Sequence, residues 1–288
     1  MMLGPLDRLL GRKTPSHGAL AVVTGAGSGI GAAFAVELGR RGGKVVCSDI
    51  DEVAAQRTVD ELTAHGAQAT PVRCDVSQVD DVHALAEQAQ QWFGAAPTLV
   101  INNAGVGAGG EPIGDVPLDD WVRTLGVNLW GPIHGCHVFT PILRESVASQ
   151  PKAIINVASA AAFGAAPGMA AYNVSKAGVL SLSETLAAEL SGTGIKVTVL
   201  CPTFVKTNIV ESGLQAGRIS EESSALATRL MRWTGFSAEK VARICLDAND
   251  RGELYCMPQL EAKLGWNVKR LAPGVYTRAV GLVSRAGH

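Results

Sequence analysis

Short apolar runs alternate with longer amphipathic stretches along most of this chain. The runs are Ala19–Thr24, Lys44–Ser48, Ala69–Arg73, Thr98–Ile101, Ala153–Ala158 and Lys196–Leu200. They read as continuous rather than alternating, which predicts strands buried on both faces, as in a parallel sheet. Helical periodicity fills the spaces. It runs from the glycine-rich turn after residue 24 through Leu38, then over Val53–His65, Val79–Phe93, Leu118–Phe139, Ala171–Leu190 and Ser237–Ala248. Gly252–Cys256 suits a last strand. Strands alternating with helices in this way predict an α/β fold with a doubly wound parallel sheet. No repeat, low-complexity tract or linker divides the pattern, so residues 18–260 read as one domain. Residues 1–17 read as a frayed N-terminal extension and 261–288 as a C-terminal tail.

In such sheets ligands gather at the carboxyl ends of the strands. The first run leads into Thr24-Gly25-Ala26-Gly27-Ser28-Gly29-Ile30-Gly31. Strand, glycine-rich turn and helix in that order is the context a dinucleotide site requires. Glycine lets the backbone turn tightly and approach a pyrophosphate, which a helix N-terminus favours. The second run ends at Asp49, about 20 residues on, where an acid accepts a hydrogen bond from a ribose 2′-hydroxyl and repels a 2′-phosphate. Ser28, with no Arg or Lys beside it, points the same way, to NAD rather than NADP. The competing reading is that Asp49, or its neighbour Asp51, only caps the following helix.

Ser159 closes the fifth run, and Tyr172 and Lys176 stand four residues apart on one face of the next helix. A free phenol has a pKa of about 10 and is a poor proton acceptor at neutral pH. A nearby Lys176 ammonium favours the phenolate, and Ser159 is able to hold a substrate oxygen beside the phenol. The set suits proton transfer to or from an alcohol or carbonyl while a hydride moves elsewhere. Taken singly, each feature has an ordinary reading. Tyr-x-x-x-Lys is a packed ring beside a solvated charge, Asn128 a helix-interior hydrogen bonder, Asn102-Asn103 a strand-end turn and Asp75 a cap. Their joint, ordered occurrence favours an enzyme.

Charge and cysteine usage narrow the partners. Lys+Arg number 25 against 26 Asp+Glu, a net charge of −1, which leaves no electrostatic footprint for nucleic acid. No apolar run reaches the length of a membrane span, and the first residues lack the apolar core of a secretory signal. Cys47, Cys74, Cys136, Cys201, Cys245 and Cys256 are scattered without ligand-like spacing. This predicts reduced thiols in a cytoplasmic protein, with no metal site and no cysteine nucleophile. His65, His134 and His137 have no triad partner in sight.

Through these motifs the chain resembles the short-chain dehydrogenase/reductase family, specifically its single-domain branch, over residues 18–260. The resemblance implies a Rossmann-like sheet of about seven strands in the order 3-2-1-4-5-6-7. It implies that Gly25, Ser28, Gly29, Ile30 and Gly31 form the cofactor turn and that Asp75 and Val76 lie near the adenine. Asn103, Ala104 and Gly105, in Asn102-Asn103-Ala104-Gly105, would stabilise the central sheet and line the cofactor. Asn128, Ser159, Tyr172 and Lys176 resemble the catalytic tetrad. In that reading Tyr172 is the acid/base, Lys176 lowers its pKa and contacts the nicotinamide ribose, Ser159 orients the substrate oxygen and Asn128 holds a water linking the lysine to solvent. Pro202 to Thr207 resembles the segment that closes over the nicotinamide, with the Val205 backbone and the Thr207 hydroxyl meeting the carboxamide. Two positions depart from the family's pattern. Ala160 stands where many members have a second serine, and Thr203 replaces the usual glycine after the proline.

Residues 206–236 resemble a substrate lid and are rich in apolar side chains such as Ile209, Leu214, Leu226, Trp233 and Phe236. Residues 160–169 are small and apolar. A lipophilic secondary alcohol or ketone is the expected substrate; packing of the lid on the body is the equal alternative. The tail mixes apolar residues with Lys263, Lys269, Arg270, Arg278 and Arg285. That pattern suits a partner subunit, the chain's own lid or a membrane surface, and packing is favoured. The resemblance also implies a homodimer or homotetramer through the helices at Leu118–Phe139 and Ala171–Leu190. The expected activity is NAD-dependent alcohol dehydrogenation. The alternatives are an NADPH-dependent carbonyl reductase and a nucleotide-binding regulator without turnover.

Overall fold

The computed structural model of the chain describes residues 13–205 and 236–285. Seven parallel strands form one sheet: β1 (Leu20–Thr24), β2 (Lys44–Asp49), β3 (Gln68–Arg73), β4 (Leu99–Asn102), β5 (Lys152–Val157), β6 (Ile195–Leu200) and β7 (Tyr255–Cys256). Their order is β3-β2-β1-β4-β5-β6-β7. The first six lie within one residue of the apolar runs. The seventh is shorter than expected because Gly252 takes a left-handed conformation (φ 76°) to end the preceding helix, which delays the strand.

Alternate residues of each strand feed opposite layers. Val23, Cys47, Ile101 and Ile155 pack on one side against α1 (Gly29–Arg40) and, beyond residue 235, α8 (Ala238–Arg251). Val22, Val46, Val100 and Ile154 pack on the other against α3 (Val79–Phe93), α5 (Gly131–Glu145) and α7 (Ala170–Glu189). Phe34, Leu38, Leu85, Phe139 and Leu143 are fully buried in these layers, each contributing about 1.5–3 kcal/mol of transfer free energy. The remaining helices are α2 (Glu52–Ala64), α4 (Leu118–Leu125), the single-turn α6 (Ala161–Gly164), α9 (Leu260–Leu271) and α10 (Pro273–Arg285). Chain order reverses between β1 and β4, which opens a crevice at their carboxyl ends.

The long helix expected over Leu118–Phe139 is interrupted. A π-helical turn, Gly126–Trp130, separates α4 from α5. Pro132 supplies the reason: it has no N–H, so the carbonyl of Asn128 loses its ordinary α-helical donor and the ladder re-registers.

The N-terminal extension is also ordered further out than expected. Ser16 is fully buried, donating its N–H and hydroxyl to the Asp250 carboxylate at 3.0 and 2.7 Å. Arg41 joins this cluster, donating to Ser16 Oγ at 2.8 Å, Glu37 at 2.9 Å and Asp247 at 2.8 Å. Sequence reading assigned fraying here because these partners are far apart in the chain. Replacing Arg41 with Met strands the Glu37 and Asp250 carboxylates, and is expected to cost about 3 kcal/mol in urea unfolding. A loss below ~1 kcal/mol would show the cluster to be no better than a surface ion pair.

The tail packs on its own body through one face. Trp266 of α9 lies edge-on to Phe163 at 5.1 Å and tilted against Tyr255 at 5.5 Å. Leu260, Leu264, Val268 and Leu271, on the opposite face, stay exposed. Among the described residues no helix is long and apolar enough to cross a membrane.

Candidate active site

The crevice is built backbone on backbone. The Thr24 hydroxyl donates to Ile101 O at 3.3 Å and accepts the N–H groups of Asn103 and Ala104 at 3.0 and 3.1 Å. This ties the end of β1 to the end of β4. The Asn103 amide donates to the carbonyls of Thr24 and Gly25 at 2.8 and 3.1 Å. Gly25 is left-handed (φ 63°), and a Cβ there would sit 2.7 Å from Ala104 Cα. A Cβ on Gly31 would run into the Gly25 carbonyl oxygen. Ser28 precedes α1 in extended conformation without a side-chain cap, Gly29 is left-handed (φ 55°), and the first turn, which includes Ile30, carries no acid. The N-terminal N–H groups and the positive end of the helix dipole are therefore not neutralised by a local side chain. A dinucleotide's pyrophosphate fits such a cradle.

The two candidate acids after β2 have separate tasks. Asp51 caps α2, accepting the Ala54 N–H at 3.1 Å. Asp49 turns back to the glycine loop and accepts the N–H of Gly27 at 2.9 Å and of Asp51 at 3.0 Å. Asp75 closes a local turn, accepting the N–H and hydroxyl of Ser77 at 3.0 and 2.7 Å, while Gln78 holds the cap position of α3. Val76 is buried against Gly131, where an added Cβ would lie 2.8 Å from it. Its carbonyl bonds the His134 ring at 2.9 Å. Sequence reading found no Arg or Lys beside Ser28. The β2–β3 register puts Arg73 directly opposite Asp49, with its guanidinium 3.6 Å from Asp81.

Beneath the crevice runs a buried polar chain that local motifs did not reveal. Asn102 donates to Asn156 Oδ1 at 2.8 Å, Asn156 donates to Ser183 Oγ at 3.0 Å, and Ser183 donates to Val179 O at 2.7 Å. The chain links β4 and β5 to α7. Gly135 makes room for it, since a Cβ there would strike the Asn102 side chain. Asn102 is thus part of the core, while Asn103 shapes the turn.

Asn128, Ser159, Tyr172 and Lys176 converge above this chain. Ser159 lies two residues past β5; its hydroxyl accepts the Ala161 N–H at 3.1 Å and reaches Pro202 O at 3.4 Å. Ser159 lies beside the phenol of half-buried Tyr172, near enough to pull its pKa down. Lys176 is only 3% exposed, donates to Val157 O at 3.0 Å and lies 5.6 Å from the centre of the Tyr172 ring. A Cβ on Gly105 would be 3.1 Å from Asn128 Oδ1 and 3.6 Å from Lys176 Nζ, so these three groups meet at one spot.

Electrostatics here follow burial. Desolvation lowers Lys176 from 10.5 to about 8, and the neighbouring Cys201 works against that fall. Desolvation raises the Tyr172 phenol, and the nearby Ser159 pulls it back. The sequence reading assigned that lowering to Lys176, whose ammonium here donates to Val157 O. The Asn128 side chain accepts the Val106 N–H at 2.7 Å and donates to Val106 O at 2.9 Å, which braces the loop after β4.

Pro202 O accepts the Ala160 N–H at 2.8 Å, and Val205 is buried in the core. Thr203 donates its N–H to Gln259 Oε1 at 3.2 Å and its hydroxyl to Glu261 Oε1 at 2.8 Å. Thr207 and the lid through residue 235 lie outside the described residues. All six cysteines are free and buried, and burial pushes the Cys201 thiol up to about 12. Among the described residues no group of three or more His, Cys, Asp or Glu is arranged to hold a metal ion.

Comparison with known proteins finds relatives over most of the chain. A family model described as short chain dehydrogenase matches residues 19–216. The chain is 38% identical over 245 residues to 1-deoxy-11-beta-hydroxypentalenate dehydrogenase of Streptomyces exfoliatus, covering 85% of this chain and 84% of that one. It is 40% identical over 204 residues to the probable oxidoreductase EphD of Mycobacterium tuberculosis, 70% of this chain but 34% of that protein, so it spans about a third of that relative's length. A short chain dehydrogenase/reductase from Burkholderia phymatum, solved in complex with NAD, superposes with a TM-score of 0.82 at 35% identity, covering 91% of this chain and 96% of that one.

Proposed function

The chain belongs to the short-chain dehydrogenase family, and from that premise we propose that it interconverts a lipophilic secondary alcohol and its ketone with NAD(H), Tyr172 being the acid/base. The observation that carries the reading is the meeting of the Tyr172 phenol with Ser159 beside buried Lys176. In oxidation, Ser159 holds the substrate hydroxyl and Tyr172 takes its proton. NAD, when bound, supplies the hydride acceptor. Lys176, depressed to about 8 by desolvation, exchanges a proton near neutral pH. Asn128, whose Oδ1 lies near the same point as Lys176 Nζ, would hold a water that links the lysine to solvent. Small residues 160–169 leave an apolar wall next to Ser159, which supports a lipophilic substrate.

NAD preference rests on Asp49, whose carboxylate faces the glycine turn and would hold a ribose hydroxyl while repelling a 2′-phosphate. Arg73, in register with it, supports the second reading, an NADPH-dependent carbonyl reductase. Titration of NADH and NADPH fluorescence separates the two. We expect tighter binding of NADH, and a preference reduced by about tenfold or more in Asp49→Ala, one hydrogen-bonded charge being worth about 1.5–3 kcal/mol. Unchanged preference in the variant would remove Asp49 from the assignment. We further read residues 18–260 as one catalytic domain, and the chain as a cytoplasmic homo-oligomer. Exposed Leu118, Val122 and Val174 on α4 and α7 support association through those helices.

A further inference from the structure

Among the described residues Ala165 alone, apart from glycines, has a left-handed backbone, at φ 51°. An alanine holds that conformation only where its surroundings over-determine it. Both flanking carbonyls are in fact captured. Gly164 O accepts the Tyr276 hydroxyl at 3.1 Å, and Ala166 O accepts the Asn173 side-chain amide at 2.8 Å. Ala165 lies in the loop between Ser159 and Tyr172. Asn173 is the residue after Tyr172, whereas Tyr276 comes from α10, 112 residues from its partner.

The single turn of α6 is too short to keep its own geometry. It is continuous with Ser159: Ala162 N–H donates to Ser159 O at 3.0 Å and Gly164 N–H to Ala160 O at 2.7 Å. A displacement of Gly164 therefore reaches Ser159 through one turn of backbone. The tail grips this region at three points. Tyr276 holds Gly164, Trp266 packs on Phe163, and Gln259 and Glu261 hold Thr203 next to the Pro202 carbonyl that Ser159 reaches.

We propose that α9 and α10 form a strap that sets the position of Ser159 against Tyr172, with Tyr276 a positioning residue acting through Gly164 and Ala165. This rests on the reading of Ser159 and Tyr172 as the proton-handling pair. It also assigns a use to Thr203, whose hydroxyl is the tether that a glycine there would lack.

The test reads the phenol directly. The chain has three tyrosines, so labelling tyrosine Cζ with carbon-13 gives three NMR signals, with that of Tyr172 identified by its loss in Tyr172→Phe. At neutral pH the charged group facing the ring is Lys176, whose own neighbour is Cys201; neither is altered by Tyr276→Phe, which removes one distant oxygen. In Tyr276→Phe the Tyr172 signal is expected to move, and kcat to fall about ten- to hundredfold with the Kd for NADH unchanged. Adding Ala165→Gly, which makes the left-handed turn intrinsic to the loop, should recover most of that kcat. An unmoved Tyr172 signal overturns the strap whatever the turnover, and failure of Ala165→Gly to recover kcat overturns the route through Ala165. If the signal moves but the unaltered protein turns over no alcohol or ketone with either cofactor, the dehydrogenase reading falls and the strap stands.

Discussion

Tyr172→Phe is expected to lower kcat by at least about a thousandfold, in the upper part of the range for loss of a general acid/base, while leaving the affinity for NADH within about twofold. Phenylalanine keeps the ring and its packing beside Lys176 and removes only the oxygen next to Ser159. No other titratable group in the described site is placed to substitute. Lys176 is turned to Val157 O, and the Cys201 thiol is pushed up to about 12 by burial. A thousandfold loss corresponds to about 4 kcal/mol of transition-state free energy. Steady-state kinetics together with a fluorescence titration of NADH decide the matter. Substantial residual turnover would remove Tyr172 as acid/base. Loss of binding in step with activity would show that the ring, not the hydroxyl, was the important part. A regulator without turnover would register no change in any rate.

Gly31→Val is expected to weaken NADH binding by at least about a hundredfold, equivalent to roughly 2.7 kcal/mol, and to lower the melting temperature. Position 31 is inside α1, where replacing glycine by alanine ordinarily gains about 1 kcal/mol of helix propensity. Here a Cβ runs into the Gly25 carbonyl oxygen and lies 2.5 Å from the Asn103 amide. Neither neighbour is free to retreat, because the Asn103 amide donates to that same carbonyl and to Thr24 O. The clash is thus of a side chain against the backbone carbonyl at the bend of the glycine turn. Gly265→Ala in α9 is the control, since nothing lies within 4 Å of a Cβ there; it should leave binding unchanged and raise the melting temperature. Equal behaviour of the two substitutions would mean that the cradle is not tightly packed.

What the sequence disclosed and what it hid divide along the range of the interactions. The strands were legible because two-sided burial writes itself into consecutive positions such as Val22-Val23 and Ile154-Ile155. The nearness of Ser159, Tyr172 and Lys176 was legible because they stand at short separations around one strand end and one helix. The asparagine–serine chain under the site was not, since Asn102, Asn156 and Ser183 come from three elements, and nothing local distinguishes them from surface polar residues. Arg73 escaped for the same reason, being placed opposite Asp49 only by the β2–β3 register. The break at Gly126–Trp130 had a local sign, Pro132, that a count of apolar periodicity passes over. The setting of Lys176 was hidden because a sequence lists charges but not depth or direction. Burial lowers the lysine itself, and its ammonium points to a carbonyl.

The six cysteines have a consequence for how the fold comes apart. They lie in separate layers: Cys47, Cys245 and Cys256 on the α1–α8 side of the sheet, Cys74 and Cys136 on the other, and Cys201 in the cluster beneath the tail. Burial raises the thiols of Cys47, Cys74 and Cys201 to about 12, and a protonated, enclosed thiol does not react. A sulfhydryl reagent therefore reaches each one only during an excursion that exposes its layer. The sequence in which the six positions become labelled is a built-in record of which layer separates first, written by the native chain without any introduced probe.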